Sequence, residues 1–462
     1  MQIEFLGAAQ TVTGSRTLLH HGDKKILVDC GLYQGSRELR DRNWAEFTEA
    51  PDIDFVVLTH AHVDHSGYLP KLVSEGFKGP VYCSQSTAEL CKIMLRDSAH
   101  LQEEDARFAN KKGYSRHQPA LPLYTSEDAE AALRLFRPVP MDTWVELTEG
   151  LSFRLLRAGH ILGACIVQFS MSEENGVRTL TFSGDLGHGR QNVIKGPVAV
   201  DQTDYLVLES TYGDRLHPRE DVMGIVKEQV HYVKEQGGVL VIPAFTVGRT
   251  QEVLYMLKVL EERGEIPNLE VYVDSPMATA VTDLYMRHKD ELRLSFENGQ
   301  LQYPLEPSSY IPVRSVDESM LLCMRNGPMI VISAAGMLTG GRILHHLKKR
   351  LPSRKNVVLF VGYQAEDTKG RLLQSGLPTL RIHHEPVEVR AKIVTIESLS
   401  AHADTNDLMD WLRQFSHPPK KVFLNHGEPQ SIKALCYRIR HELGWDVVVP
   451  SYGDKFELGT RS

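Results

Sequence analysis

The stretch Val56-Val57-Leu58-Thr59-His60-Ala61-His62-Val63-Asp64-His65-Ser66-Gly67 constrains this chain more than any other. An apolar run of strand type stops at Thr59. Four side chains able to bind metal follow within six positions, before a glycine. A buried strand that ends in a tight loop points His60, His62, Asp64 and His65 into one small volume. Imidazoles and a carboxylate without a thiolate suit zinc or a similar divalent ion. A polar loop merely rich in histidine is the competing reading. The density of H-x-H-x-D-H, and the recurrence of the same donor types later in the chain, disfavour it.

Strand signals at 2–6 and 15–29 precede this loop, the second ending in Ile26-Leu27-Val28-Asp29. After a strand at 79–83, Ser86-Thr87-Ala88-Glu89 reads as a capping box opening a helix to about Phe108. Residues 110–124 read as a loop, with His117 on the surface. Strands at 152–157, 164–170 and 177–183 deliver His160 and Asp185. Many short strands around helices, with metal donors at strand ends, indicate a two-sheet sandwich.

The pattern changes after Asp204-Tyr205-Leu206-Val207-Leu208-Glu209. Apolar strands at 238–243, 269–274, 328–333 and 356–361 alternate with helical patterns at 248–263, 276–289 and 341–350. Such alternation indicates a parallel sheet with crossover helices. Residues 291–327, polar and containing proline, read as a long excursion. From about 385 the first style returns, with strands at 389–395, 421–425 and 445–449 and a helix at 428–442. Candidate donors recur there in Ser400-Ala401-His402-Ala403-Asp404 and Asn425-His426-Gly427-Glu428. The expected organisation is one metal domain, residues 1–208 and 385–462, interrupted by an inserted parallel-sheet domain at 209–384.

A two-metal centre with ions about 3.5–4 Å apart needs a bridging carboxylate and about three further ligands per ion. His60, His62 and His160 can hold one ion, Asp64, His65 and His426 the other, and Asp185 can bridge. A water shared by such ions is acidic enough to give hydroxide at neutral pH. Asp29, at a strand end, is a candidate to fix the second nitrogen of a ligand imidazole. Taken alone, His160 reads equally as a core or turn histidine, and Asp185 as a turn residue. Each gains weight because the first motif needs partners. Glu209 and His402 fit acid–base work, since a carboxylate can hold a histidine protonated for transfer to a leaving alkoxide. Taken alone, both read as loop residues bonded to backbone.

Thr246-Val247-Gly248-Arg249, Ser275-Pro276 and Thr339-Gly340-Gly341-Arg342 lie beyond strand ends of the parallel-sheet region. Each opens a helix, with free N–H groups and a dipole that favours phosphate. Lys369 and Arg371 add positive charge, whereas Lys348 to Lys355 reads as a solvated helix face. The net charge of −7 excludes wholesale nucleic-acid coating but not a local basic groove. The six cysteines, Cys30, Cys83, Cys91, Cys165, Cys323 and Cys436, are scattered without a C-x-x-C and read as reduced core residues. No apolar run reaches the roughly 18 residues of a membrane helix. The N-terminus enters a strand pattern with no basic region before an apolar core. Neither a secretory leader nor a membrane is expected, and the cytoplasm is the expected compartment.

Together these motifs resemble the metallo-β-lactamase superfamily, and specifically its β-CASP branch of nucleic-acid nucleases. The strand-end Asp29, the motif at 60–65, His160 and Asp185 match the general pattern. The acidic motif at Glu209, the S-A-H motif at His402 and the H-G-E motif at His426 match the branch, as do the blocks from Gly248, Asp274, Ser333 and Gly362. The likeness covers essentially the whole chain. Within the branch it is nearest the RNA-directed group, such as the endonuclease subunit of the eukaryotic pre-mRNA 3′-end cleavage factor and its bacterial and archaeal relatives. One departure is Glu366-Asp367-Thr368, where relatives carry glycine before the threonine.

The resemblance implies an α/β fold, a metallo-β-lactamase αββα sandwich with an inserted β-CASP parallel-sheet α/β domain. It implies that His426 is a metal ligand and that Glu209 with His402 forms the proton-donating pair. The expectation is a ribonuclease carrying two zinc ions, with manganese an alternative. It would hydrolyse single-stranded RNA, endonucleolytically, by two-metal hydroxide attack, with Asp64, Glu209 and His402 catalytic. Arg249, Ser275, Ser333, Gly340, Gly341 and Lys369 would contact RNA phosphates. The alternatives are a 5′-exonuclease or DNA nuclease of the same fold, a metallo-hydrolase of thioesters or lactams, and a non-catalytic RNA-binding scaffold. Single-stranded RNA is the expected partner, and homodimerisation is left open.

Overall fold

Along the strand Leu151–Arg157, Leu151, Phe153 and Leu155 are buried while Ser152 and Arg154 are partly exposed. This is the period of two that a sheet imposes when one face is covered. The computed structural model describes residues 1–113, 118–173, 176–293, 296–297, 300–301, 305–362, 364 and 368–459. His117, Tyr363, Ala365 and the Glu366-Asp367 step lie outside the described residues. No helix among the described residues is long and apolar enough to cross a membrane.

Two compact units result. The first comprises Met1–Gly189, Gly196–Leu216 and His402–Ser462, and the second Arg190–Lys195 with His217–Ala401. The first unit holds two seven-stranded sheets. One runs Lys455–Glu457, Gln2–Phe5, Thr17–His21, Lys24–Val28, Phe55–Val57, Val81–Cys83, Phe136–Pro138. The other runs Val447–Val448, Lys421–Asn425, Tyr205–Glu209, Gly176–Phe182, Cys165–Glu173, Leu151–Arg157, Val145–Thr148. Ile3, Phe5, Leu19, Ile26 and Val28 of one sheet share a core with Phe153, Phe169, Leu180, Val207 and Phe423 of the other. The helices Gln85–Lys112 and Ser126–Leu133 pack together, and the former touches the strand Phe136–Pro138; Pro429–Arg438 packs on Lys421–Asn425. This is the expected αββα sandwich.

The second unit is built on a six-stranded, wholly parallel sheet: Tyr310–Pro312, Val271–Asp274, Met329–Ser333, Val239–Pro243, Val357–Val361, Lys392–Ile396. Both its faces are covered. Leu240 and Ile242 enter one apolar cluster, and Val239 and Val241 enter another on the opposite face. Unbroken apolar runs are what such a strand requires.

Four sequence readings need correction. The strand Lys392–Ile396, assigned by pattern to the second part of the sandwich, pairs in parallel with Val357–Val361 in the six-stranded sheet. Sheet membership is a tertiary property that strand propensity does not carry. The excursion at 291–327 contains the edge strand Tyr310–Pro312 and the helix Val316–Met324, whose cap is a Ser315–Glu318 capping box. The helix Gln85–Lys112 is capped by Ser84, which accepts from Thr87 N–H, so Ser86 and Glu89 lie inside it. Finally, the stretch from Lys348 is not a uniformly solvated face. Arg350 is buried, and its Nη2 donates to the Leu322 carbonyl at 3.0 Å.

Phe423 sits between the two sandwich sheets, its ring centroid 5.5 Å from that of Phe5 and 5.1 Å from that of Phe456. Phe423→Ala is expected to cost about 3–5 kcal/mol, measured as a shift of the urea unfolding midpoint of the sandwich. An unshifted midpoint would contradict the shared core.

Candidate metal centre

Every donor of the centre comes from a chain segment just past a strand end of the first unit. The strand Phe55–Val57 delivers His60, and His62 caps the short helix Val63–Ser66 that carries Asp64 and His65. His160 follows Leu151–Arg157, Asp185 follows Gly176–Phe182, and His426 follows Lys421–Asn425. Glycines allow the segments to approach. A Cβ on Gly31 would stand 1.6 Å from the Asp64 carbonyl oxygen, and one on Gly427 2.4 Å from Ser210 Oγ. Asp29 and His426, neither of them glycine, hold positive φ angles of 59° and 52°. Backbone held in that region costs of order 1–3 kcal/mol and is kept where the surroundings demand it.

The donors form two sets. His60, His62, His160 and Asp185 make one, and Asp64, His65 and His426 the other, with ligand atoms in each set within 4.8 Å of one another. In the first, His62 Nδ1 stands 3.1 Å from His60 Nε2 and 3.2 Å from His160 Nε2. In the second, His65 Nε2 and His426 Nε2 are 3.1 Å apart, and Asp64 Oδ2 is 3.5 Å from His426 Nε2. Asp185 serves both. Its Oδ2 lies 3.5 Å from His60 Nε2 and 3.6 Å from His160 Nε2, while its Oδ1 lies 3.3 Å from His65 Nε2 and 3.5 Å from His426 Nδ1.

These spacings test the fit of a metal. Ligands about 2.0–2.1 Å from a tetrahedral zinc stand about 3.3 Å from each other. The nitrogen–nitrogen and nitrogen–oxygen spacings here cluster about that edge length. Asp185 Oδ1 is buried and accepts no hydrogen bond, an arrangement that costs free energy unless a cation compensates. The residues present therefore fit divalent ions.

Electrostatics agree. Burial drives His60 well below the usual histidine range. Burial also disfavours charge on His65, but Asp185 and Asp29 outweigh it and hold its pKa well above that range. Burial opposes the ionised form of Asp185, yet the imidazoles of His426, His65 and His60 hold its pKa well below the carboxylate range. Asp185 is thus ionised beside a His60 that burial keeps neutral, as metal binding requires, whereas His65 holds a proton that a bound cation would displace.

A second layer orients the donors. Asp29 Oδ2 contacts His65 Nδ1 at 2.7 Å, and its Oδ1 accepts from Thr59 N–H at 2.8 Å. Thr59 Oγ1 is 3.0 Å from His60 Nδ1, and Thr211 Oγ1 is 3.2 Å from His426 Nδ1. Sequence reasoning found Asp29 but missed both threonines. Thr59 reads simply as the last residue of a β-branched strand, and its only signal is its place directly before the motif.

Beside the cluster, His402 Nδ1 lies 3.2 Å from Glu209 Oε2, and its ring centroid is 4.4 Å from that of His160. Leu186 N–H donates to Glu209 Oε1 at 2.5 Å, which holds the carboxylate, and Glu209 N–H donates to Ser183 Oγ at 3.0 Å, which holds its backbone. Burial pulls the His402 pKa down, but the charge and hydrogen bond of Glu209, with Asp185 and Asp64, push it up to about 9. Of the other candidate donors, Asp404 caps the helix Thr405–Leu412 by accepting from Asn406 and Asp407 N–H, and Glu428 is exposed at the start of Pro429–Arg438.

The residues expected to meet phosphate all lie in the second unit. Gly248, at φ 81°, caps the helix that starts at Arg249. Gly340 and Gly341 precede the helix Ile343–Arg350, and Lys369 opens the six-residue helix Lys369–Gln374. Two expected hydroxyls are engaged by the fold itself. Ser275 Oγ accepts from Ala278 N–H at 3.2 Å, and Ser333 Oγ donates to the Asp274 carbonyl at 3.0 Å. Arg342, part of the same glycine-rich helix start, donates from Nη1 to the buried Asp274 carboxylate at 2.8 Å.

Comparison with known proteins bears on this arrangement. A metallo-beta-lactamase superfamily model matches residues 12–222, a Beta-Casp domain model residues 250–373, and a Zn-dependent metallo-hydrolase RNA specificity domain model residues 386–450. The chain is 38% identical over 441 residues to Ribonuclease TTHA0252 of Thermus thermophilus, an alignment covering 94% of this chain and 95% of the relative. It is 31% identical over 468 residues to Transcription termination factor FttA of Methanocaldococcus jannaschii, covering 97% and 70% respectively. A crystal structure of a protein of unknown function from Enterococcus faecalis V583 matches with a TM-score of 0.54 at 14% identity, covering 98% of this chain and 99% of that one. That last likeness concerns the fold alone.

Gly31→Ala is expected to push the 60–65 loop off the strand end. A stability loss of about 1–3 kcal/mol, seen as a lower melting temperature, should accompany weaker retention of divalent metal. A variant that melts and holds metal like the parent would show that the close approach of Gly31 to Asp64 is dispensable.

Proposed function

Because the chain belongs to the metallo-β-lactamase superfamily, in the branch that joins that domain to Beta-Casp and RNA-specificity domains, we propose that it is a zinc-dependent ribonuclease cutting phosphodiester bonds within single-stranded RNA. The observation that carries this reading is Asp185, one oxygen facing each donor set, with the Glu209–His402 pair alongside. The likeness to Ribonuclease TTHA0252, and the match of residues 386–450 to the RNA specificity domain, support RNA over small thioester or lactam substrates.

Two zinc ions suit these donors, one on His60, His62 and His160, the other on Asp64, His65 and His426, with Asp185 shared. Such ions supply Lewis acidity toward a phosphoryl oxygen and a water acidic enough to attack at neutral pH. The chain's own residues do the rest. Asp29 and Thr59 hold the imidazoles of His65 and His60 in one orientation, as ligands of this kind require. Glu209 keeps His402 protonated and engages its Nδ1. The Nε2 proton is thereby available to the leaving ribose oxygen, and general acid catalysis of this kind contributes about 10²–10⁴-fold. Arg249, Gly340, Gly341 and Lys369 are assigned to hold phosphates of the strand; Ser275 and Ser333 serve the fold of that region.

The test is cleavage of labelled single-stranded RNA, single-stranded DNA and duplex, with and without chelator. Cleavage of the RNA that chelator abolishes is the expected result. Asp64→Ala and His402→Ala should abolish or cut turnover by about 10²–10⁴ while RNA affinity stays near that of the parent. Undiminished turnover in either variant, or thioester turnover without RNA cleavage, would overturn the reading. Asp29→Asn is expected to lower zinc affinity by about 10–100-fold in a competition titration with a chromogenic chelator.

A further inference from the structure

A ladder of arginines and tyrosines runs through the first unit from its interior to its surface. The buried Arg16 guanidinium lies 3.7 Å from the Tyr68 ring centroid and 5.3 Å from that of Tyr33. Arg42 repeats the arrangement, 5.4 Å from the Tyr33 centroid and 5.3 Å from that of Tyr452. Tyr68 and Tyr33 are buried, whereas Arg42 is exposed and Tyr452 is 59% exposed. The inner members fix their own positions, since Arg16 Nε and Nη2 donate to the Gly31 carbonyl at 3.0 and 2.9 Å and Tyr33 Oη donates to the Leu6 carbonyl at 3.0 Å. The geometry points to the outer end, Arg42 with Tyr452, as a base-stacking subsite for single-stranded RNA; this inference rests on the ribonuclease reading above.

Both ends of the ladder are tied to the metal centre. At the root, Gly31 N–H donates to the Ser15 carbonyl at 2.9 Å and Ser15 N–H to the Asp64 carbonyl at 2.8 Å. At the tip, Ser451, next to Tyr452, accepts from Gln10 Nε2 at 3.2 Å, and Ala8, two residues before Gln10, accepts from His426 N–H at 2.9 Å. The Tyr452 turn is itself tied to the strand Gln2–Phe5. Gly453 N–H donates to the Phe5 carbonyl at 2.8 Å, Phe5 N–H to the Asp454 carbonyl at 3.0 Å, and Ser451 N–H to Asp454 Oδ2 at 2.8 Å.

The chemistry favours a polynucleotide. An exposed tyrosine ring on a hydrogen-bonded turn offers a π-face that every base can stack on without sequence choice, and the adjacent guanidinium suits a phosphate or a second base.

Binding to the metal-free chain tests this without relying on turnover. The probe is a fluorescein-labelled single-stranded oligouridine, with an abasic ribose-phosphate strand of the same length as control, both read by fluorescence anisotropy. Tyr452→Ala should weaken oligouridine binding by about fivefold or more and leave the abasic strand unaffected. Tyr452→Phe, which keeps the ring, should bind within about twofold of the parent. A 5-iodouridine strand should photo-crosslink to Tyr452. Equal loss on both strands would assign Tyr452 a structural role and overturn the inference. So would parental affinity in Tyr452→Ala, or a crosslink elsewhere in the chain, and these outcomes leave the ribonuclease reading standing if the parent still cleaves RNA. A parent that binds neither strand and cleaves no RNA overturns both.

Discussion

The centre depends on one carboxylate. Asp185 is buried, and its two oxygens face two separate groups of imidazoles at 3.3 to 3.6 Å. A buried anion is costly unless compensated. Among the described residues, compensation comes from the histidines around it or from cations placed among them. Four chain segments, those of residues 60–65, His160, Asp185 and His426, must meet for that to happen, which is why the donors sit at strand ends, why Gly31 and Gly427 carry no Cβ, and why Asp29 and His426 accept positive φ angles. The sandwich core is the scaffold for this meeting, since it holds the strand ends rigidly where flexible loops would not.

Much of that was legible in the sequence, for a physical reason. A metal centre needs several donors in one small volume, so an H-x-H-x-D-H segment at the end of an apolar strand demands partners and makes isolated residues such as His160 and Asp185 interpretable. The structure brings all seven expected donors, with Asp29, Glu209 and His402, into one cluster of contacts. Fully apolar strands likewise announced the doubly covered parallel sheet.

What escaped the reading depends on tertiary contacts that leave no local trace. Thr59 and Thr211 orient imidazoles through their hydroxyls, yet a threonine at a strand end is ordinary. Ser84 and Ser86 both suit a helix start, and only the backbone decides which accepts the hydrogen bond. Lys392–Ile396 has the composition of any half-buried strand, so its pairing with Val357–Val361 could not be read from pattern. Ser275, Ser333 and Arg342 resemble ligand contacts in sequence, but the first two spend their hydroxyls within the fold and the last compensates Asp274.

The strands Tyr205–Glu209 and Lys421–Asn425 lie side by side, Glu209 opposite Asn425, although the second unit's main segment is threaded between them in the chain. The first strand, Gln2–Phe5, likewise awaits Lys455–Glu457. Domains fold as units as the ribosome releases them, N-terminal parts first. Vectorial synthesis therefore produces the entire six-stranded sheet while the sandwich is still an open half. During that interval His60, His62, Asp64, His65, His160 and Asp185 exist, but His402 and His426 do not. The nascent chain carries one complete donor set and one open one, and competence for chemistry arrives only when the last strands dock.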